Sequence, residues 1–266
     1  MLSQQTLALT GAPNTRELGG YVTRSGQRVR THALLRADNL AELSLADQRK
    51  LVAYGVTVVV DTRSHAEWVT APDKVPQSIQ VCHVPIFNND ETESTQTIQR
   101  LNRYYADDPR NGYRRMLRVY RRLVLSEQPR QAYKRFFELL ATRGAGTTIL
   151  YHCTSGKDRT GMCTLLLLGV LGVPIAQIKQ DYLASNLVCL PTVVRRIHEA
   201  RRHHMNQNFQ SSILDLSTVS GDYFDQALTL IDGEFGGIKA YLVDYIGLSE
   251  AVIHQLQRRY LTTDLA

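Results

Sequence analysis

Two short stretches of the chain, Val56-Thr57-Val58-Val59-Val60 and Thr147-Thr148-Ile149-Leu150-Tyr151, are apolar or β-branched without interruption. A third, residues 79–86, runs Ile-Gln-Val-Cys-His-Val-Pro-Ile. Unbroken runs of this kind predict strands covered on both faces, as in a parallel sheet flanked by helices. Helical patterns lead straight into two of them. Residues 45–54 stop at Gly55, a residue suited to the position after a helix end, and Val56 opens a strand at once. Residues 131–140 run on to Gly144, and the next strand follows. Helix feeding buried strand, twice over, predicts an α/β fold with a central, mostly parallel sheet flanked by helices.

The most apolar stretch, residues 162–173, is about a dozen residues long and holds two glycines. A membrane span needs ~20, so a helix buried on every side is expected. Residues 113–122 and 195–204 look helical and very basic. Neither fits between adjacent strands, and both are expected as insertions around the sheet. In the first, Arg114, Arg118 and Arg121 or Arg122 fall near one helical face. A solvated face is the plain expectation; the alternative is a lid that attracts anionic substrate or makes peripheral contact with an anionic membrane. Residues 223–260 read as short helices punctuated by Gly236-Gly237 and Gly247, with Leu242, Ile246, Ile253 and Leu256 as core contacts. No repeat or long linker divides the chain. It is expected to form a single domain over 1–266, with a helical insertion at roughly 93–125 and C-terminal helices at roughly 223–266.

Composition narrows the class without naming it. The 31 Lys and Arg against 25 Asp and Glu leave a charge of +6, too diffuse for a specific nucleic-acid binder. Cys82, Cys153, Cys163 and Cys189 form no C-x-x-C pair, which argues against a zinc site or a disulfide framework. Cys82, Cys163 and Cys189 are expected to be small core residues. The opening residues lack a basic and then apolar leader pattern. A cytoplasmic location is expected, or a secreted one had a leader been removed.

The segment after the apolar run at 147–151 carries the chemistry: His152-Cys153-Thr154-Ser155-Gly156-Lys157-Asp158-Arg159, then Thr160-Gly161 opening the buried helix. A five-residue loop between a strand end and a helix start can curl its N–H groups inward, making with the helix N-terminus a cradle for a tetrahedral anion. Gly156 and Gly161 permit the tight path. Arg159 brings back a planar fork suited to two phosphate oxygens. Cys153 would then sit at the base of a positive pocket. A free thiol has a pKa of about 8.5, and thiols at helix N-termini beside cations fall to roughly 3.5–7.5. The expected reaction is in-line attack of the Cys153 thiolate on phosphorus, giving a phosphocysteine that water hydrolyses, with no metal or cofactor required. A nucleotide-binding P-loop is excluded, because Tyr151 and Asp158 stand where it needs Gly and Ser or Thr.

The string HCTSGKDRTG resembles the signature of atypical bacterial tyrosine phosphatases, a group that includes secreted lipid-and-tyrosine phosphatases with loops of the form HCxxGKDRTG. Asn14-Thr15-Arg16-Glu17-Leu18-Gly19-Gly20-Tyr21 resembles the family's N-F-R-[DE]-L-G-G-Y opening, with Thr15 in place of the aromatic. Leu35-Arg36-Ala37-Asp38 is similar to its L-[FY]-R-S-[DA] segment, Asp61-Thr62-Arg63 with Glu67 to its D-L-R-x3-E element, and residues 237–242 to its tail. The resemblance spans nearly the whole chain. It implies a dual-specificity-phosphatase-like domain acting on phosphotyrosine, sometimes on phosphoserine or phosphothreonine, and on phosphoinositides, with inorganic phosphate as product.

Lys157 and Asp158 set this group apart. Lys157 beside the pocket suggests a hold on a second phosphate of an inositol ring, with Thr154, Ser155, Gly156 and Thr160 completing the binding loop. The leaving oxygen needs a proton, and Asp158 is the expected donor by proximity; Asp90, Asp107 and Asp108 are alternatives from a mobile loop, and Asp61 a remoter one. His152 is expected to orient the loop or tune the thiolate. Asp61 is expected to pair within its D-x-R element, and Arg63 to brace the loop carbonyls from beneath. Arg16 and Arg36 either support the site or pair at the surface. Three functional readings follow: a tyrosine-directed phosphatase, a phosphoinositide phosphatase using the same site, and a silent phosphate-binding module.

Overall fold

The computed structural model describes residues 7–265 except 102, 144 and 145; the expected helix stop at Gly144 and the first six residues lie outside the described residues. In chain order the elements are β1 (Arg16–Glu17), β2 (Gln27–Val29), β3 (Leu34–Ala37), α1 (Leu45–Tyr54), β4 (Val56–Asp61), α2 (His65–Thr70) and β5 (Gln80–His83). There follow α3 (Tyr104–Asp107), α4 (Asn111–Leu125), α5 (Glu127–Thr142), β6 (Thr148–His152), α6 (Arg159–Val170) and α7 (Ile175–Arg202). The chain then runs through α8 (Gln207–Ser217), α9 (Gly221–Phe235), α10 (Ile238–Ala240), a π-helical turn (Tyr241–Tyr245), α11 (Glu250–Tyr260) and β7 (Leu261–Leu265).

β4 and β6 form where the unbroken apolar runs predict them, and they are the inner strands of a five-stranded sheet ordered β1-β3-β6-β4-β5. β6 pairs in parallel with β3 on one side and β4 on the other; only β1 runs antiparallel. Alternation along the strands splits their side chains between two layers. Val58, Val60, Ile149 and Tyr151 join a large core with α4, α5 and α6. Val59, Leu35 and Leu150 meet Leu40 and Leu51 in a smaller core on the opposite face. Ala37, Asp61 and His152 are in register, so β3, β4 and β6 end together at one edge of the sheet. The loop that follows His152 therefore leaves from the middle of that edge.

The helices obey local signals. α1 begins with a capping box between Ser44 and Asp47 and ends at Gly55 in the left-handed conformation, at φ 97°. α6, expected to be buried all round, is buried at every position except Gly169. Leu242, Ile246, Ile253 and Leu256 are all core residues. In α4 the residues Arg114, Arg118, Arg121 and Arg122 face solvent, while Met116, Val119, Tyr120 and Leu123 are buried. That is the solvated face of the plain expectation. Among the described residues no helix is long and apolar enough to cross a membrane.

Some elements differ from the sequence reading. β3 is a strand whose burial includes the charged Arg36, and its apolar run is too short to declare itself. The third apolar run yields only Gln80–His83, since Pro85 offers no N–H to extend pairing. The basic residues 195–204 close a helix of 28 residues that passes through Pro191. Of the three cysteines expected in the core only Cys163 is buried there; Cys82 is half-buried against the large core, and Cys189 is half-buried on the same helix as Pro191.

Candidate active site

The loop from His152 to Asp158 turns its carbonyls outward, and each one is met by a donor. Thr62 donates its N–H (2.9 Å) and its hydroxyl (2.6 Å) to the His152 carbonyl. The Cys153 carbonyl lies 3.0 Å from His152 Nδ1. Asn39 donates both its N–H and its Nδ2 to Thr154 O, each at 3.1 Å. Asn14 Nδ2 donates to Ser155 O at 2.9 Å, and Arg36 Nη2 to Gly156 O at 2.7 Å. The Lys157 and Asp158 carbonyls accept from Gly161 and Met162 as the first bonds of α6. By contrast, the N–H groups of residues 154–159 donate to no atom among the described residues. That division of donors and acceptors is what an anion cradle requires.

Gly156 is the residue that permits the path. Its φ is +65°, and a Cβ there would sit 2.5 Å from the Ala37 carbonyl oxygen. Cys153, 2 % exposed, lies at the base, and Arg159 opens the helix behind it.

Arg159 is held by Glu67, a residue the sequence reading passed over except as part of a resemblance. Arg159 Nη1 and Nη2 donate to the two carboxylate oxygens at 2.7 and 2.9 Å. Glu67 also closes the capping box of α2, accepting from the Ser64 N–H (2.9 Å) and hydroxyl (2.7 Å), and it accepts the Thr154 hydroxyl. Burial pushes the Glu67 carboxyl up, but Arg159, Thr154 and Ser64 outweigh it and hold it at about 2. Arg159 Nε and the Thr160 hydroxyl are buried without a hydrogen-bond partner among the described residues. The signal for Glu67 was present as S-x-x-E, a helix-start pattern, whose second task needs the fold to be seen.

Arg63 does not reach the loop carbonyls, which corrects the expected brace from beneath. It bonds Asp61 (Nη2–Oδ2, 2.6 Å), Asp73 (2.8 Å) and the Ala71 carbonyl (2.8 Å). Its side chain instead orders Asp73, which meets His152 Nε2 at 3.0 Å. The direct brace is Arg36. It and Arg16 converge on Asp181 of α7, Arg16 Nε at 2.8 Å, so both arginines support the site from within the core. His152 loses charge stability by burial, but the Asp61 and Asp73 carboxylates raise its pKa to about 9.

Lys157 and Asp158 are tied to each other and to the surrounding helices. Lys157 Nζ donates to Asp158 Oδ2 at 2.7 Å and to Thr218 O at 3.4 Å. Tyr120 of α4 donates to Asp158 Oδ1 at 2.9 Å and lies 2.7 Å from the Tyr182 hydroxyl of α7. Both residues are about 98 % buried or more, so Lys157 is not an open cation at the rim. Of the other acids, Asp90 comes within 4.0 Å of Arg159 while accepting from Thr92, Ser94 and Thr95. Asp107 and Asp108 flank the α3–α4 turn, where Asp108 pairs with Arg114 at 2.8 Å.

Beside the loop opens a mouth-like cavity of about 250 Å³, whose lining includes the loop residues Thr154, Ser155 and Lys157 but neither Cys153 nor Arg159. Asp38, Thr154, Ser155 and Lys157 line it on the sheet side, and Cys189, Arg195, Arg196 and Ser217 on the helical side. Its outer wall is thus α7 and the end of α8, while the basic face of α4 stays in solvent. Burial raises the Asp38 carboxyl to about 7, against the opposing hydrogen bond from the Asn14 N–H at 3.1 Å.

Two consequences for stability follow. Replacing Glu67 with Ala strands the Arg159 guanidinium in the interior, and a loss of about 3–5 kcal/mol is expected in the denaturant midpoint, partly restored by Asp. His152 has a folded-state pKa above its ordinary value of 6.5, so its contribution is complete below about 6.5 and disappears as pH rises through about 9. The melting temperature is expected to decline over that window, and His152→Gln to flatten the decline.

The comparisons with known proteins agree with this geometry. A family model described as the tyrosine phosphatase family matches residues 7–262. A candidate tyrosine-protein phosphatase of Cupriavidus necator is 30 % identical over 265 residues, 96 % of this chain and 88 % of the relative. The triple specificity protein phosphatase PtpB of Mycobacterium tuberculosis is 28 % identical over 275 residues, 94 % of this chain and 96 % of its own. A tyrosine-protein phosphatase of Nostoc commune is 28 % identical over 233 residues, covering 85 % of this chain and 74 % of the relative. Matched almost from end to end, the chain belongs to the tyrosine phosphatase family and is a cysteine-dependent protein-tyrosine phosphatase.

Proposed function

We propose that residues 1–266 work as one catalytic domain that hydrolyses phosphotyrosine esters, with Cys153 as nucleophile and Arg159 as the phosphoryl-binding cation. The observation that carries this reading is the loop whose carbonyls are all engaged outward while its N–H groups face no protein acceptor. The Cys153 thiolate attacks phosphorus, the P–O bond to the tyrosyl oxygen breaks, and that oxygen takes a proton. Water then attacks the phosphocysteine and releases inorganic phosphate and the thiolate. Loop amides, Arg159 Nε and the Thr160 hydroxyl are the donors for the equatorial oxygens. His152, Asp61 and Arg63 keep the strand end in position through Asp73.

Two carboxyls can supply the proton. Asp158 is the nearer in sequence, but both its oxygens already accept hydrogen bonds, from Tyr120 and Lys157. Asp38 lines the mouth and titrates near neutrality, which favours it as donor, since a general acid works best with a pKa near the operating pH. Breadth toward phosphoserine or phosphothreonine, and toward phosphoinositides, is a finer reading supported by the triple specificity named for the mycobacterial relative. A second phosphate would meet Arg195 at the rim rather than the buried Lys157.

Cys153→Ser is expected to abolish turnover of an aryl phosphate, whereas a silent binding module would have no turnover to lose. In pH–rate profiles of kcat/KM, Asp38→Asn is expected to remove the basic limb with a loss of about 10²–10⁴-fold; loss of that limb in Asp158→Asn alone would return the role to Asp158. Lys157→Ala is expected to lower phosphotyrosine and phosphoinositide turnover alike, and Arg195→Ala to lower the second selectively.

A further inference from the structure

At the opposite end of the sheet from the loop lies a second recess, of about 720 Å³. Ala33, Gly55 and Thr147, which immediately precede β3, β4 and β6, line its floor. Around them stand four arginines, Arg30, Arg143, Arg258 and Arg259, with His32 and Tyr54. Among the described residues no Asp or Glu lines it.

Part of this placement follows from the fold alone. α1, α5 and α11 all end here, and helix C-termini favour cations. That explains why basic residues are tolerated, but not why their heads are left without acids. Several cations elsewhere on the surface are held in ion pairs: Arg114 with Asp108, Arg115 and Arg122 with Glu91, Arg130 with Glu127, Lys179 with Asp225. In the cleft, Arg143 donates among the described residues only to Gln80 Oε1 (2.7 Å) and Cys82 Sγ (3.5 Å). Arg259 reaches the Thr147 carbonyl at 3.4 Å and lies over the Tyr260 ring. The side chains of Arg30 and Arg258 have no hydrogen bond or ion pair among the described residues, although the Arg30 N–H donates to the Tyr260 carbonyl at 2.7 Å. Arg259 Nε and the Tyr54 hydroxyl are buried there with no hydrogen-bond partner among the described residues.

We propose that this cleft binds a small, multiply phosphorylated anion, free or as the head group of a lipid. Guanidinium forks match phosphate oxygens in pairs, and four of them suit a ligand carrying several phosphates. The volume falls within the range of roughly 300–1,000 Å³ found for small-molecule sites. The site is distinct from the catalytic loop, from which β6 separates it by five residues, a strand of ~16 Å.

Calorimetric titration with inositol hexakisphosphate, with orthovanadate present to occupy the catalytic loop, tests this directly. Binding is expected to persist under orthovanadate and to weaken at least about tenfold in Arg30→Ala/Arg258→Ala. The Arg30→Lys/Arg258→Lys protein should retain part of it, and kcat/KM for an aryl phosphate should stay within about twofold in both. Should the double alanine protein not fold, by circular dichroism, Arg258→Ala alone is the reporter, since its side chain is exposed. Phosphatidylcholine vesicles with and without phosphatidylinositol bisphosphate separate the sources. Retention on the bisphosphate vesicles, lost in the variant, identifies a lipid head group; binding of the soluble probe alone identifies a free polyphosphate. No binding once orthovanadate is present, or equal affinity in the folded variants, overturns the proposal.

Discussion

The constraint on which this structure turns is that the amides of one short loop must face an anion. Backbone polar groups come in pairs, and a buried carbonyl without a donor is costly. If the amides of residues 154–159 are reserved for a ligand, the carbonyls of the same peptides need partners on the outside. The chain recruits them from far apart in sequence: Asn14, Arg36, Asn39 and Thr62, at distances of 2.6–3.1 Å. These residues sit just before β1, within and after β3, and after β4, so they arrive beside β6 only because the parallel strands end together. The sheet order is therefore a means of delivering donors to one loop.

Charge is handled in the same way. Bringing Arg159, Arg36, Arg16 and Arg63 into the interior carries a desolvation penalty that only close, fully bonded partners offset. Glu67 answers Arg159, Asp181 answers Arg16 and Arg36, and Asp61 with Asp73 answers Arg63 and His152. All of these acids except Asp73, which lies between α2 and β5, are fixed by a secondary element. Glu67 caps α2, Asp181 lies within α7, and Asp61 ends β4. Buried ion pairs are weak contributors to net stability, which makes their concentration around one loop intelligible as orientation of the site.

How far the sequence revealed this depends on whether the signal was local. β4 and β6 were legible because unbroken β-branched runs mean burial on both faces, and the end of α1 because Gly55 must adopt a left-handed conformation. The nucleophile loop was legible because its cysteine, glycines, arginine and helix start follow one another. β3 was obscured by Arg36, a charge that belongs inside only because Asp181, 145 residues away, meets it. Glu67 showed its capping task and hid its hold on Arg159, since 92 residues separate them. Asp38 figured in the sequence only as the end of a family-like segment, and only its burial at the mouth marks it out. What escaped the sequence was, in each case, a partner brought from a distance by the fold.

Lys157 and Asp158 illustrate the difference between a position that distinguishes a family and one that touches substrate. Their neighbours in the loop motif suggest specificity, yet Lys157 ends on the Thr218 carbonyl beyond α8, and Asp158 on the Tyr120 hydroxyl of α4. Tyr120 in turn meets Tyr182 on α7. Through two loop residues, three helices outside the sheet are fastened to the catalytic loop. A rigid link of that kind sets where α7 and α8 stand, and they form the helical wall of the mouth. In the function proposed, side chains on that wall, Arg195 among them, select the substrate, while the lysine and aspartate of the loop fix where the wall stands.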